Sequence, residues 1–284
     1  PFLFAGFAEV LLAAIPGMWL STHVKVGTAR ALTIMMLSSV STMTITPVVL
    51  GVFLDAGTGW RAILAGEAAL SLLTGLVLML LPLADIPGRE SLRLRHVRAV
   101  AAFNPRLLLA IAAAAFFYLG AEMTLGVWLP KFLVDTFGAG QAWAGLSVTF
   151  FFVGQIIGRV AVMPLTRRFL TSSLLAVATV GVALFAVAIS LAPSQVLCLA
   201  LTFGGGLSSS GAFSFIGSYA GRFPAWYAGV VFSAFQVSAG IGGMIFPYLT
   251  GPVASWLGFR VAIAVAAVPA LIVTFLAFRL RAAS

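Results

Sequence analysis

The sequence is poor in charged residues, cysteine and histidine. Charged residues make up 8% of its 284 residues and the mean hydropathy is +1.14, whereas a soluble domain carries roughly a quarter charged residues. The single cysteine excludes an intrachain disulfide or a multi-cysteine metal site. His23 and His96 both fall between apolar runs, and no Walker-type phosphate loop is present. These absences exclude a soluble fold and ATP-driven pumping by this chain, and no cofactor or metal is expected.

Long apolar runs are what the sequence does contain. They are about twenty residues long, the length that crosses roughly 30 Å of hydrocarbon as a helix. A helix satisfies its own backbone hydrogen bonds in lipid, so each run is predicted to be helical. The sequence therefore predicts an all-α membrane protein of about nine transmembrane helices. The predicted spans are residues 2–20, 31–54, 62–83, 107–134, 143–165, 172–192, 196–220, 228–256 and 261–280.

The basic residues separate by loop. One set of alternate loops and the tail holds Lys25, Arg30, Arg89, Arg93, Arg95, Arg98, Arg106, Arg159, Arg167, Arg168, Arg222, Arg279 and Arg281. The other set holds Arg61, Lys131 and Arg260. Cytoplasmic loops carry the excess of Lys and Arg, so the C-terminus is predicted to be cytoplasmic. A bacterial plasma (inner) membrane is the expected location. The net charge of +9 is thus attributed to basic residues that set the orientation of the protein in the membrane, and no nucleic-acid partner is expected.

The domain organisation follows from one long polar stretch and one internal repeat. Residues 84–106 form a basic cytoplasmic loop between three spans in residues 1–83 and six spans in residues 107–284. Pro47 and Gly51 are echoed by Pro247 and Gly251, at an offset of 200 residues. Parallel repeats of this kind occur in transporters built from two six-helix halves. The repeat predicts that three further helices precede residue 1, and that the fragment alone transports poorly.

One segment carries a recognisable pattern. Residues 154–159 read Gly-Gln-Ile-Ile-Gly-Arg and are followed by Arg167 and Arg168. This resembles the gating motif of the major facilitator superfamily, although Thr166 stands where the family often has an acidic residue. The resemblance implies two six-helix bundles, alternating access, and a solute site between the bundles near the midplane. It also assigns gating roles to Gly154, Gly158, Arg159, Arg167 and Arg168.

A second resemblance concerns the substrate. Tyr118 to Glu122, followed by Gly126-Val127-Trp128, resembles the seventh-helix pattern of sugar permeases of the fucose:proton symporter type. It implies a sugar as the solute and a proton as the coupling ion. Drug and organic-anion exporters share the architecture and stay open as alternatives.

Three carboxylates fall within predicted spans, namely Glu9, Glu67 and Glu122. An ionisable group at membrane depth is a functional candidate. Glu122 lies roughly 22 Å into a helix that lines the cavity by family resemblance, with Tyr118 one turn earlier, and is the leading candidate for proton coupling. A glutamic acid bonded to a neighbouring helix is the alternative. Glu9 is the second candidate, whereas Glu67, close to Arg61, is interpreted as a surface ion pair or snorkelling carboxylate.

Two amides and one tryptophan complete the candidates. Gln155 and Gln236 suit a solute rich in hydroxyl groups, and both suit equally well a hydrogen bond between helices. Trp128 suits either a sugar-stacking platform or an anchor at the membrane interface. A membrane enzyme would need a nucleophile with a base, and the predicted spans contain no His and one Lys, Lys131, three residues from a span end. A non-transporting sensor stays open. The expected partners are a solute, a proton and lipid, with the protein a monomer.

Overall fold

The computed structural model describes residues 44–80, 100, 102–224 and 227–282, and within these ranges it is helical without strands. Seven helices there are long and apolar enough to cross a membrane. This confirms the predicted all-α membrane fold. The spans predicted at residues 2–20 and over the first part of 31–54, the loop 84–99 and Glu9 lie outside the described residues.

Short connections join the first helix to the second, and likewise the helices of residues 105–282. The first two are α1 (Thr44–Asp55) and α2 (Trp60–Leu80). The remaining helices are α3 (Pro105–Phe137), α4 (Gln141–Val162), α5 (Thr171–Ser190), α6 (Gln195–Ser209), α7 (Ala212–Ser218), α8 (Ala228–Leu257), α9 (Phe259–Val265) and α10 (Ala267–Ala282). Two 3₁₀ turns, Leu165–Arg167 and Tyr219–Arg222, follow α4 and α7.

Local signals in the sequence account for the ends of α3. The Asn104 side chain accepts a hydrogen bond from the Leu107 N–H at 3.1 Å, and Pro105 occupies the first helical position. Gly138 ends the helix with a φ of 67°, in the left-handed region that glycine adopts without strain. The helix therefore begins two residues before its predicted start and ends three residues after its predicted end.

Two predicted spans are interrupted in the structure. The span predicted at 196–220 is α6 and α7, with a turn at Ser210 and Gly211 between them. The span predicted at 261–280 is α9 and α10, with the turn at Ala266. Backbone dihedrals at Ser210 and Gly211 stay in the right-handed helical region, so each pair still crosses as one segment with a local break in hydrogen bonding.

Glycines allow close contact between helices in residues 105–282. A Cβ on Gly242 of α8 would lie 1.9 Å from the Phe116 carbonyl oxygen of α3, and one on Gly206 of α6 would lie 1.9 Å from the Phe151 carbonyl oxygen of α4. Neither position can hold a side chain without moving a helix, because real Cβ atoms do not approach so closely. The Gly206 contact agrees with small residues serving helix packing.

The described basic residues divide between the two ends of the bundle. One end, called the Arg159 end, carries Arg106, Arg159, Arg167, Arg168, Arg222, Arg279 and Arg281. The opposite end, called the Asp55 end, carries Arg61, Lys131 and Arg260. Contacts across each end agree with this assignment: Arg222 donates to the Leu280 carbonyl at 3.3 Å, and Arg260 donates to the Ser190 carbonyl at 2.7 Å.

Candidate functional site

The bundle has two apolar cores, and Tyr118 of the first core is hydrogen-bonded to polar groups. The first core includes Ile111, Leu175 and Val273, and the second includes Leu129, Val182 and Ile263. Four predicted site residues are joined by hydrogen bonds, directly or through Ser209: Tyr118, Glu122, Gln155 and Arg159. We call these four residues with Ser209 and Ser210 the polar layer.

Tyr118 connects α3 to the break between α6 and α7. Its side chain is 2% exposed, and its hydroxyl donates to the Ser209 carbonyl oxygen at 2.8 Å. The same hydroxyl is in hydrogen-bond contact with Oε2 of Glu122, which is half-buried one turn further along α3. The spacing of four residues places the two side chains on one helix face, as the sequence predicts.

The hydrogens in this contact can be counted. A tyrosine hydroxyl carries one hydrogen, and a backbone carbonyl can only accept. If Tyr118 donates to Ser209, its contact with Glu122 is a hydrogen bond only when the carboxyl is protonated and donates. Once Glu122 is ionised, the Tyr118 hydrogen can satisfy either the carboxylate or the Ser209 carbonyl, not both. The protonation state of Glu122 thus decides which group Tyr118 holds.

Gln155 and Arg159, both on α4, form hydrogen bonds to the same break between α6 and α7. The Gln155 amide is 3% exposed, and its Nε2 donates to the Ser209 hydroxyl at 3.1 Å. Arg159 donates through Nε to the Ser210 carbonyl at 3.2 Å and through a terminal nitrogen to Oε1 of Gln155 at 3.3 Å. Each residue therefore bonds between helices, while Arg159 itself stays exposed.

The two motif glycines explain why α4 approaches the break closely enough. A Cβ on Gly154 would lie 2.3 Å from the Phe203 carbonyl oxygen, and one on Gly158 would lie 2.5 Å from that of Leu207. Both contacts are with α6. Glycine at these positions thus brings Gln155 and Arg159 within reach of Ser209 and Ser210. Arg167 lies in the 3₁₀ turn after α4, and Arg168 is exposed beside it.

The remaining candidates lie apart from the polar layer. Oε1 of Gln236 on α8 is buried, and within the described residues it has no hydrogen-bond partner. Trp128 donates its indole N–H to the Pro247 carbonyl at 2.9 Å, packs on Phe259 and thereby links α3 to α8. Glu67 is exposed on α2, and no ion pair joins it to another described residue. No group of three or more His, Cys, Asp or Glu in the described ranges could hold a metal.

Sequence reasoning missed Ser209 and Ser210. The available signal was the run Ser208-Ser209-Ser210-Gly211 inside an apolar span. Serine and glycine favour helix less than the apolar residues around them, and serine hydroxyls bond to nearby backbone. The Ser209 hydroxyl does so, donating to the Gly206 carbonyl at 3.0 Å.

Comparison with known proteins gives a consistent family. The sequence model of the protein family described as Major Facilitator Superfamily matches residues 2–238 and 112–284. The glucose/mannose transporter of Bacillus subtilis (strain 168) is 32% identical over 137 residues, which are 48% of this chain and 34% of that protein.

Two solved structures share the fold. The fucose:proton symporter of E. coli aligns with a TM-score of 0.58 and 22% identity, over 75% of this chain and 53% of that one. A structure of the transporter FucP in the outward conformation aligns with a TM-score of 0.57 and 21% identity, over 75% of this chain and 52% of that one. The chain thus spans about half the length of these structures.

Proposed function

Because the chain belongs to the major facilitator superfamily, we propose that it is part of a secondary active transporter that moves a sugar by alternating access, coupled to protons. The family and the polar layer within the bundle support transport. The names of the similar proteins, a glucose/mannose transporter and a fucose:proton symporter, support a sugar and a proton. These relatives are transporters, which favours a role other than enzymatic catalysis.

The observation that carries proton coupling is that the Tyr118 hydroxyl has two hydrogen-bond partners. These are the Glu122 carboxyl and the Ser209 carbonyl. With Glu122 protonated, Glu122 donates to Tyr118 and Tyr118 donates to Ser209. After the proton leaves, the Tyr118 hydrogen turns to the carboxylate, because a charged acceptor binds more strongly than a neutral one. The Ser209 carbonyl then loses its donor.

Loss of the donor to the Ser209 carbonyl affects the break between α6 and α7, to which Arg159 is also hydrogen-bonded. Ser209 and Ser210 are consecutive, and their carbonyls accept from Tyr118 and Arg159 respectively. Broken helices line the ion and substrate sites of many transporters. In the proposed mechanism, ionisation of Glu122 loosens the α6–α7 break, and Arg159 transmits the change to the Arg159 end. Gating by Gly154, Gly158, Arg159, Arg167 and Arg168 belongs to this proposal.

Sugar recognition is assigned to Gln236 in this proposal, because its buried Oε1 has no donor within the described residues. A sugar hydroxyl can supply that donor. Gln155 has both ends of its amide in use and is assigned to the proton relay. Trp128 offers a ring face for stacking, although its N–H is already bonded.

The proposal includes a bacterial plasma membrane as the location and a monomer as the working unit, with the Arg159 end and the C-terminus in the cytoplasm. The clustering of basic residues at one end supports this orientation.

Uptake into proteoliposomes tests the proposal. The complete natural protein is reconstituted, and radiolabelled glucose, mannose and fucose are offered with the outside acidic. Accumulation that a protonophore abolishes is the expected result. Accumulation driven only by the opposite gradient would contradict symport and favour an exporter. Binding without accumulation under either gradient would favour a sensor.

A further inference from the structure

The Asp55 end contains a close contact between α1 and α4. The two helices run antiparallel: the Thr149 hydroxyl donates to the Thr44 carbonyl at one end of the contact. A Cβ on Gly145 would lie 2.3 Å from the Pro47 carbonyl oxygen, and one on Gly51 would lie 2.5 Å from that of Gln141. Glycine in each helix thus lets the backbones touch over the whole of α1.

Asp55 closes this contact at the membrane surface. Its Oδ1 accepts from the Gln141 N–H at 2.8 Å, and its Oδ2 accepts from the Ala142 N–H at 2.9 Å. These are free N–H groups of the first turn of α4, which carries partial positive charge. The residue that precedes α4 is Gly140, which has no side chain to cap the helix. The cap therefore comes from another helix, the last residue of α1.

The contact joins the two predicted halves of the protein. α1 lies in residues 1–83 and α4 in residues 107–284, on opposite sides of the basic loop. A carboxylate bound to two N–H groups fixes distance and direction together. Asp55 is exposed, so water can replace its bonds, and the tie can break and re-form in every transport cycle.

We infer that Asp55 is a latch that holds the Asp55 end of the transporter closed by capping α4, and that its release accompanies opening of the cavity to that side. The inference rests on alternating access, as proposed above, and concerns a residue that the proton relay does not include. Gly51 and Gly145 supply the close approach, and Asp55 supplies the bond that favours the closed arrangement.

The test measures distance across the Asp55 end in the complete protein. Cys198, the one cysteine of this sequence, is buried; it and any cysteine elsewhere in the complete protein are replaced by alanine. Spin labels are attached at Ala56→Cys and Trp256→Cys, both exposed at this end, one in each half. Pulsed electron–electron spin resonance then reports closed and open distances. Asp55→Ala is expected to lower the closed-to-open ratio by about threefold or more. An unchanged distribution would overturn the latch.

A double variant separates a latch from a simple helix cap. Gly140 has φ −64° and ψ 160°, the extended conformation of a helix-capping residue. Asp55→Ala with Gly140→Asp therefore supplies the cap within α4 and leaves α1 untied. A latch predicts that thermal stability returns to that of the parent while the closed distance stays depleted. Recovery of both would show that Asp55 serves α4 stability alone and would overturn the inference.

A matched carboxylate provides the control. Asp135 lies at the same end, but its ion pair with Lys131, at 2.9 Å, joins residues of α3 alone. Asp135→Ala is expected to leave the distance distribution unchanged, and a shift equal to that of Asp55→Ala would overturn the inference by showing a general charge effect. Because the readout needs no substrate, a failure of sugar uptake would leave the latch result intact.

Discussion

The Arg159 guanidinium donates from Nε to the Ser210 backbone carbonyl, 3.2 Å away on another segment. The bond connects the last turn of α4 to the break between α6 and α7. The gating motif thus has a hydrogen-bond partner at the break, and a change in the backbone there would alter the bond of Arg159 to Ser210. The exposed position of Arg159 fits a group that exchanges between arrangements.

The first prediction is that Arg159→Ala slows conformational exchange and leaves solute affinity nearly unchanged. Removal of the guanidinium takes away the donors to Ser210 and Gln155, and these bonds lie in the relay and not in the proposed sugar contact. Exchange of labelled solute between equal pools measures the rate, and calorimetric titration measures affinity. Arg279→Ala, at an exposed position of the same end and outside the gating set, is the comparison variant and is expected to change neither quantity. A large loss of affinity with normal exchange would place Arg159 in the binding site.

The second prediction concerns close packing of α4 on α6. Gly206→Ala is expected to destabilise the protein by about 1–3 kcal/mol, because overpacking forces the helices apart, and the new Cβ would overlap the Phe151 carbonyl. Gly126→Ala is the matched control: nothing lies within 4 Å of that Cβ, and alanine favours helix by about 0.5–1 kcal/mol over glycine. Thermal unfolding in detergent compares the two. Equal melting temperatures for the variants would contradict the packing argument.

Much of the fold was predictable from the sequence because lipid imposes one solution on an apolar run of about twenty residues. Span ends were predicted to within three residues at α3, which Asn104 and Gly138 cap, and to within two residues at α5, which has no side-chain cap. The break at Ser210 was missed because hydropathy averages over a window and does not register backbone hydrogen bonding.

The site was predictable only within single helices. Tyr118 with Glu122, and Gln155 with Arg159, are each four residues apart, so helix geometry alone pairs them. Their meeting at Ser209, 91 residues from Tyr118, depends on how three helices pack, which spacing does not encode. The same holds for Asp55, whose partners lie 86 and 87 residues away.

The third prediction tests orientation. A reporter fused after Ser284 is expected in the cytoplasm, as are tags inserted at Gly88 and Gly27, because the loops rich in Lys and Arg stay on that side. Enzymatic reporters active on one side of the membrane give the readout. A tag at Thr58, in the connection between α1 and α2 at the Asp55 end, is the control and is expected outside. Exposure of the Gly88 tag to the outside would contradict the span count.

The fourth prediction is that Tyr118→Phe weakens proton coupling, because it removes the hydrogen bonds of the Tyr118 hydroxyl while the ring still fills its place in the core. The ring stays, but the Ser209 carbonyl and the Glu122 carboxyl lose their shared partner. A buried acceptor left without a donor costs about 1–3 kcal/mol, so a lower melting temperature is expected, together with weaker proton-driven accumulation. Tyr248→Phe, at a residue 78% exposed, is the control and is expected to change neither. Parent-like coupling in Tyr118→Phe would remove the hydroxyl from the mechanism.

The fifth prediction concerns Glu122 itself. Glu122→Gln keeps the shape and the ability to donate to Tyr118, but the amide cannot ionise. The layer then stays in the arrangement of the protonated carboxyl: the amide donates to Tyr118, and Tyr118 donates to Ser209. Accumulation driven by a pH gradient is expected to vanish, because the variant cannot release a proton on the alkaline side. Exchange of solute between equal pools is expected to survive and to lose its pH dependence.

Two activities at two pH values decide the role of Glu122. Glu67→Gln is the matched control, since Glu67 is an exposed glutamate outside the polar layer, and it is expected to keep both uphill accumulation and the pH dependence of exchange. A structural glutamate predicts a different pattern for Glu122→Gln, because an amide that preserves the hydrogen bond to Tyr118 leaves proton-driven accumulation largely intact. Unimpaired uphill transport in the variant would remove Glu122 from coupling. Glu9, the other glutamate predicted to lie mid-span, would then be the next residue to substitute.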